Sequence, residues 1–385
     1  MPFAARLERY FEFDRLQSNW RTEILAGFTT FMTMAYIIFV NPAILADAGM
    51  PVAAVTVATC LSAAFGSILM GAVARYPIAL APGMGLNAYF TYAVVKGMGI
   101  GWETALGAVF LSGVAFLLLT VTGLRQVIVE AIPTELYAAV AAGIGLFIAF
   151  IGLKNAGIVV ANPATLVSMG NVRAPSTALA IGALLFMAIL AAWRVRAAIL
   201  VGIGVATIVA VVTGIAPWTP APHDVRAISQ TAFRLDVAGA LRIGFAEIVF
   251  AFLFVDLFDN IGTLVGVGTK AGLFDAAHRI PRIQRILFTD SLATMFGSLM
   301  GTSTVVSYIE SAAGVAAGGR TGIPAIVTGL LFLIAALLAP FFGVIPAAAT
   351  APALILVGSL MVSHTREISW GEPRTAIPAF LTILT

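Results

Sequence analysis

Apolar runs of about 17–25 residues, the length that crosses a hydrocarbon core about 30 Å thick, follow one another along almost the whole chain. They fall near 24–46, 52–74, 78–97, 102–122, 135–153, 177–193, 197–214, 243–267, 286–301, 303–319, 323–341 and 346–363, and a thirteenth opens near 376. At bilayer depth no water is present to satisfy N–H and C=O groups, so spanning segments of this kind must be helices unless they are buried in protein. An all-α polytopic membrane protein is expected. Composition agrees, because only 10% of residues are charged and 60% are hydrophobic, whereas about a quarter of a soluble domain is charged.

Several function classes drop out. The single cysteine, Cys60, lies inside an apolar run, and the three histidines at 223, 278 and 364 are scattered, so neither a disulfide framework nor a metal-ligand set is expected. No Ser-His-Asp order, HExxH or CxxC is present, nor a soluble domain of catalytic size, so an enzyme is not expected. Residues 1–23 are amphipathic and charged rather than a cleavable apolar leader, and read as a cytoplasmic interfacial segment. The net charge of +3 is read as loop bias rather than nucleic-acid binding. With the N-terminus inside, Arg75, Arg125, Arg194, Arg196, Lys270, Arg279, Arg282, Arg285, Arg320, Arg366 and Arg374 all fall on the cytoplasmic side, while the turns at 47–51 and 342–345 carry no basic residue.

The runs also suggest a repeat. ALAPGMGLNAYF in the third and GTSTVVSYIESAAGVAAGG in the tenth are the least helix-like, being dense in Gly, Pro or hydroxyls. Interrupted segments at matching places in two halves are the sequence mark of a transporter site. Ala26 to Phe245 is an offset of 219 and Ala81 to Ser303 one of 222, which divides the chain into a first seven-span repeat at 24–214, an outer linker at 215–242 and a second repeat at 243–385. On that period the second copy would extend beyond residue 385, so the repeat is expected to be cut short there.

Three carboxylates sit at bilayer depth, where each costs about 2.5–3.5 kcal/mol unless paired or facing a cavity. Asp256 and Asp259 are three apart in FVDLFDNIGTLVGVG and share a helix face, with Thr263 one turn on. A structural pair is one reading, and a substrate or proton pathway the other. Asp259 has the more approachable surroundings, Asn260, Gly262 and Thr263, while Asp256 is equally suited to holding its helix against a neighbour. Glu310 follows Thr302, Ser303, Thr304 and Ser307 and precedes SAAG, a segment too polar for a purely structural carboxylate. In the third run Asn87, Tyr89 and Phe90 put an amide and two aromatic rings beside Pro82, Gly83 and Gly85. Asp290 and Glu247 are placed near span ends, with water as their expected partner.

These same motifs, with FEFDRLQSNWRTEILAGFTTFMTMAYIIFVNPAIL near the start, closely resemble the AzgA-like purine permeases, a branch of the nucleobase–ascorbate (nucleobase:cation symporter-2) transporters. The resemblance covers essentially all 385 residues. It implies fourteen spans in two inverted repeats of seven, with a core domain (spans 1–4 and 8–11), a gate domain (spans 5–7 and 12 onward), and short strands in spans 3 and 10. It further implies a substrate held by Glu310 and Asp259, with Asn87, Tyr89, Phe90, Ser303, Ser307 and Thr263 around it, and proton coupling through Asp259, Asp256 or Glu310. Thr263 stands where the wider family often has His, which argues against a uracil-type site.

The expected activity is proton-coupled import of hypoxanthine, guanine or adenine across the plasma membrane, with no cofactor and H⁺ as coupling ion. Purine and bilayer are the expected partners, nucleic acid is not, and a homodimer is left open. The alternative is an anion carrier of the sulfate and bicarbonate type, which two midplane carboxylates oppose.

Overall fold

The computed structural model describes residues 3–122, 134–217, 225–242, 245–271, 280–338 and 345–384. Arg125, His223, His278, Arg279 and the turn at 342–344 lie outside the described residues. Two short helices, α1 (Phe3–Tyr10) and α2 (Phe13–Leu16), lead in. The first apolar run is then two helices, α3 (Trp20–Met34) and α4 (Ile37–Ala46), joined through Ala35 and Tyr36. Asn19 starts α3 by accepting the Thr22 N–H on its Oδ1 at 3.0 Å, which satisfies one of the free donors of the first turn. Helix α5 (Val52–Leu69) widens into a π-helical turn over Met70–Ala74 and stops at Arg75.

Strand β1 (Leu80–Pro82) leads into α6 (Met84–Ala88), which continues as a π-helical stretch over Tyr89–Gly97. Then come α7 (Trp102–Thr122), α8 (Thr134–Asn155), a hairpin of β2 (Val159–Asn162) and β3 (Leu166–Met169), α9 (Pro175–Ala192) and α10 (Ala198–Val212). After the turn Val225–Gln230 follow α11 (Val237–Arg242), α12 (Phe245–Ala271), α13 (Ile283–Met300), β4 (Val305–Ser307), α14 (Ser311–Ala316), α15 (Ile323–Leu337), α16 (Ala347–Val362) and α17 (Pro373–Leu384).

Among the described residues, six helical stretches are long and apolar enough to cross a membrane: Trp20–Ala46, Val52–Ala74, Trp102–Thr122, Ala138–Asn155, Pro175–Ala192 and Ala347–Glu367. Helices α10 and α15 are apolar but shorter. The stretch read as a linker is anchored, since the turn 225–230 packs on α5, and Thr231 Oγ1 donates to the Met300 carbonyl at 3.0 Å.

Packing falls into two groups. Helices α3, α5, α7, α13 and α15 pack on one another, as do α8, α9, α10, α16 and α17, and α12 touches both groups through α7, α14 and α8. Each group contains a pair of glycines facing each other across a helix contact. A Cβ on Gly322 would lie 2.0 Å from the Gly71 carbonyl, and one on Gly358 would lie 2.3 Å from the Gly145 carbonyl. In lipid, where apolar surface gives no driving force between helices, such close approach is what binds them.

Strands β1 and β4 pair antiparallel inside the first group, with Leu80 opposite Ser307, Ala81 opposite Val306 and Pro82 opposite Val305. The ladder is extended by Gly83 N–H to Thr304 O and Tyr308 N–H to Ala79 O, both 2.9 Å. All six strand residues are buried. A two-stranded sheet at membrane depth leaves its outer edges unsatisfied, and hydroxyls of the preceding helices meet them. Ser67 of α5 accepts the Leu80 N–H at 2.9 Å and donates to the Leu80 carbonyl at 3.0 Å. Thr294 of α13 does the same for Val305, at 3.3 and 3.0 Å.

Candidate functional site

Around this strand pair the sequence-predicted carboxylates converge. Glu310 immediately precedes α14 and is half-buried. Its Oε1 accepts a short hydrogen bond from the hydroxyl of Tyr36, the residue joining α3 to α4, and Thr33 Oγ1 reaches its backbone carbonyl at 3.4 Å. Asp259, also half-buried, comes from α12 and points at β1, because a Cβ on Gly83 would stand 3.5 Å from its Oδ2. Glu310 and Asp290 both lie within electrostatic range of it. Two acids from distant parts of the chain thus face one junction, where β1 and β4 turn into helices.

Behind Asp259 lies a second, more deeply buried acid pair. Asp256 is 0% and Asp290 1% exposed. Asn260 Nδ2 donates to Asp256 Oδ1 at 2.7 Å and to Asp290 Oδ2 at 2.9 Å, while its Oδ1 accepts the Ser307 N–H of β4 at 3.0 Å. One amide therefore links two carboxylates to the strand. This corrects the placement of Asp290 at a water-exposed span end: it lies seven residues into α13, about 10 Å from the helix start. Glu247, by contrast, is exposed in the first turn of α12.

The other expected site residues divide. Ser307 is buried on β4 and its Oγ has no hydrogen-bond partner among the described residues, leaving a donor and an acceptor beside the acids. Thr263 is buried one turn beyond Asp259. Asn87 and Ser303 are both fully buried and already occupied. Ser303 Oγ donates to Asn87 Oδ1, Asn87 Nδ2 donates to Asn41 Oδ1, and Asn41 Nδ2 donates to Thr59 Oγ1 at 2.7 Å and Thr302 Oγ1 at 2.9 Å. That network ties α4, α5, α6 and the approach to β4 together. Phe90 is 0% exposed, its ring 6.4 Å from that of Phe252, whereas Tyr89 is only partly buried and meets Phe252 edge-on at 5.2 Å. Of the two rings, Tyr89 has a face to spare.

Tyr36, Asn41 and Tyr308, whose hydroxyl donates to the Pro82 carbonyl at 2.5 Å, were not singled out by the sequence reading, and Asp290 was assigned to water rather than to the cluster. Asn41 carried a visible signal, an amide before Pro42 in an apolar run. Tyr36 carried none, since a tyrosine in a span is more often an interfacial anchor.

This architecture defines a class: a polytopic membrane protein with acids gathered at a crossing of two broken segments. Comparison with known proteins narrows it. Residues 21–385 match the Permease family, and the chain belongs to that family. It is 46% identical to the adenine permease AdeP of Escherichia coli K12, over 98% of this chain and 84% of AdeP. It is 45% identical to the guanine/hypoxanthine permease PbuG of Bacillus subtilis 168, over 98% of this chain and 88% of PbuG. Among solved structures, the transmembrane domain of the cyanobacterium bicarbonate transporter BicA aligns with a TM-score of 0.69 over 95% of this chain and 94% of that one. At 14% identity this likeness shows a shared fold and carries nothing about substrate.

Proposed function

We infer that the protein is a secondary active transporter that carries purine nucleobases, hypoxanthine, guanine or adenine, by proton symport. The observation that carries the reading is the convergence of Glu310 and Asp259 on the β1–β4 junction, in a chain similar over 98% of its length to adenine and guanine/hypoxanthine permeases. A purine presents N–H donors and ring-nitrogen or carbonyl acceptors in one plane. Two carboxylates accept from the donors, the Ser307 hydroxyl serves an acceptor, and the Tyr89 ring offers a stacking face. Desolvating so polar a ligand is tolerable only when most of those groups are paired.

Coupling fits the same cluster. Ionised carboxylates crowded at membrane depth repel one another, and a proton on Asp259, Asp256 or Glu310, with Asp290 added by its place in the fold, lets the loaded cluster cross the membrane field without that charge. The full architecture is read as fourteen spans in two inverted repeats, with the core (spans 1–4 and 8–11) rocking against the gate (spans 5–7 and 12 onward). The matched roles of Ser67 and Thr294 support such a repeat. The loop arginines support a cytoplasmic N-terminus, and the plasma membrane is the proposed location.

An anion carrier is disfavoured because carboxylates rather than arginines converge on the site. The test is uptake into proteoliposomes of labelled hypoxanthine, guanine, adenine and uracil, with and without an imposed pH gradient. Saturable purine uptake enhanced by inward proton flow is expected. Uptake indifferent to the gradient would remove the symport, and bicarbonate or sulfate uptake without purine uptake would replace the substrate.

A further inference from the structure

On the membrane face where α4, the π-helical extension of α6 and α8 all end, one tyrosine joins the two packing groups. The Tyr92 hydroxyl donates to Asp47 Oδ2 at 2.5 Å, just beyond α4, a helix that packs chiefly on α5 of the first group. Further contacts come from α8 of the other group. Phe147 meets the ring edge-on at 6.0 Å, the Lys154 ammonium lies 5.9 Å from the ring centroid, and the Asn155 side chain comes within hydrogen-bonding reach of the same hydroxyl. Lys96, on the tyrosine's own segment, stands 5.4 Å from the ring. Deeper on this boundary the backbone of Gly85 lies against Ile144, with Cγ2 only 2.4 Å from where a Cβ would be. Elsewhere helix α8 packs chiefly on α16 and α17, its own group.

We propose that Tyr92, with Asp47 on one side and Phe147, Lys154 and Asn155 on the other, is a latch that holds this face of the carrier closed and parts each time the binding site opens toward it. The inference rests on the rocking of core against gate stated above. A hydrogen bond and a cation over a ring both fail within an ångström or two of displacement, so the latch cannot survive relative movement of α8 and α6. Its parts are weak individually and half in water, which suits a contact broken once per cycle. The π-helical geometry of Tyr89–Gly97 is a further sign, since that geometry is rare and concentrates at functional sites. Tyr92 also lies on the helical stretch that leaves β1, so displacement at the site and at the latch is carried by one element.

The sole cysteine, Cys60, is buried, so a reporter thiol can be placed at the boundary as Ile144→Cys. Its labelling by a membrane-impermeant maleimide is followed in right-side-out and inside-out vesicles, alone and combined with Tyr92→Phe or with the exposed Lys154→Gln. Both added changes are expected to speed labelling from the Asp47 face, Tyr92→Phe roughly fivefold, the factor one net hydrogen bond is worth. They are expected to leave labelling from the other face no faster. Unchanged labelling in both combinations, or acceleration from the opposite face, overturns the latch. The assay needs no substrate. Acceleration by the variants alongside indifference to added hypoxanthine would keep the latch while removing the purine reading, and hypoxanthine-sensitive labelling that neither variant alters would remove the latch alone.

Discussion

The two interrupted segments are built alike and used differently. Each begins with a three-residue buried strand, each strand has one residue clasped at both N–H and C=O by a hydroxyl of the preceding helix, and each then turns into a helix. After β1 the helix runs on through Met84–Ala88 into Tyr89–Gly97, and its polar side chain, Asn87, is consumed by Asn41 and Ser303. After β4 the helix Ser311–Ala316 is short, and the polar residue that precedes it, Glu310, has its carboxylate held by the Tyr36 hydroxyl and its backbone carbonyl reached by Thr33. On the proposed repeat, the same frame serves as a scaffold in one half and carries the proposed binding carboxylate in the other. The division is economical in physical terms, because a buried amide can be satisfied completely by neutral partners, whereas a buried carboxylate remains costly until something with donors or a proton arrives.

The largest effect that sharpens this contrast is expected for Glu310→Gln. The amide presents one acceptor instead of two and turns donors toward the ligand's own N–H groups. Losing one charge-assisted hydrogen bond and opposing another is worth about 3 kcal/mol or more, on the order of a hundredfold in affinity. Calorimetry of adenine and hypoxanthine binding to purified protein measures it. Equal constants for wild type and variant would put the reagent elsewhere.

Asp259→Asn comes next. It is expected to keep exchange of purine across the membrane while losing accumulation driven by a pH gradient, because the amide cannot carry the proton. Parallel exchange and accumulation assays in proteoliposomes separate the two. Undiminished accumulation would move coupling to the buried pair Asp256 and Asp290.

Asn87→Ala tests the scaffold half. Removing the amide orphans Asn41 Oδ1 and the Ser303 hydroxyl in a buried network, at about 1–3 kcal/mol of stability. The expected outcome is a lower melting temperature with binding weakened only through the displaced strand. A large loss of purine affinity at unchanged melting temperature would mean that Asn87 touches ligand, and the contrast between the halves would break.

How far the sequence reveals this contrast depends on which interactions are local. The segments at 79–90 and 301–319 stand out because Gly, Pro and hydroxyl composition is visible along the chain, and the acids at 256, 259 and 310 stand out because charge in an apolar run is rare. Whether a buried polar group is satisfied is a tertiary property. Asn87 looks like a ligand contact in sequence, yet its partners lie 46 and 216 residues away, and Tyr36 reaches Glu310 across 274 residues. Asp290 was misplaced for a related reason, since an apolar run beginning near 286 puts it one turn in, whereas the helix begins at Ile283 and its acid is met by Asn260 from another helix. The register of β1 on β4 is likewise invisible, because three-residue strands carry no usable periodicity.

The smallest expected effect concerns what joins the two halves at the membrane face opposite the latch. Arg75 ends the helix that supports β1, Arg282 starts the helix that supports β4, and both adopt left-handed backbone at φ 59°. Glu12 bridges them, at 3.0 Å to Arg75 and 3.4 Å to Arg282, and also pairs with Arg15. Burial pushes the Glu12 carboxyl upward, but the hydrogen bond from Arg15 and the charges of Arg282, Arg15 and Arg75 outweigh it and hold it below its usual value of 4.5. A carboxylate depressed in the folded state stabilises fully above its unfolded pKa, and that contribution fades as pH falls through the lower folded value. Docking of residues 3–17 is therefore expected to be constant from neutral pH down to about 5 and to loosen only in stronger acid. Because the three charges are partly exposed, Glu12→Gln is expected to cost no more than about 1 kcal/mol at neutral pH and to flatten the acid dependence. Hydrogen exchange of the 3–17 amides as a function of pH reads both. An acid limb that persists in Glu12→Gln would mean that residues 3–17 are docked by something other than this carboxylate.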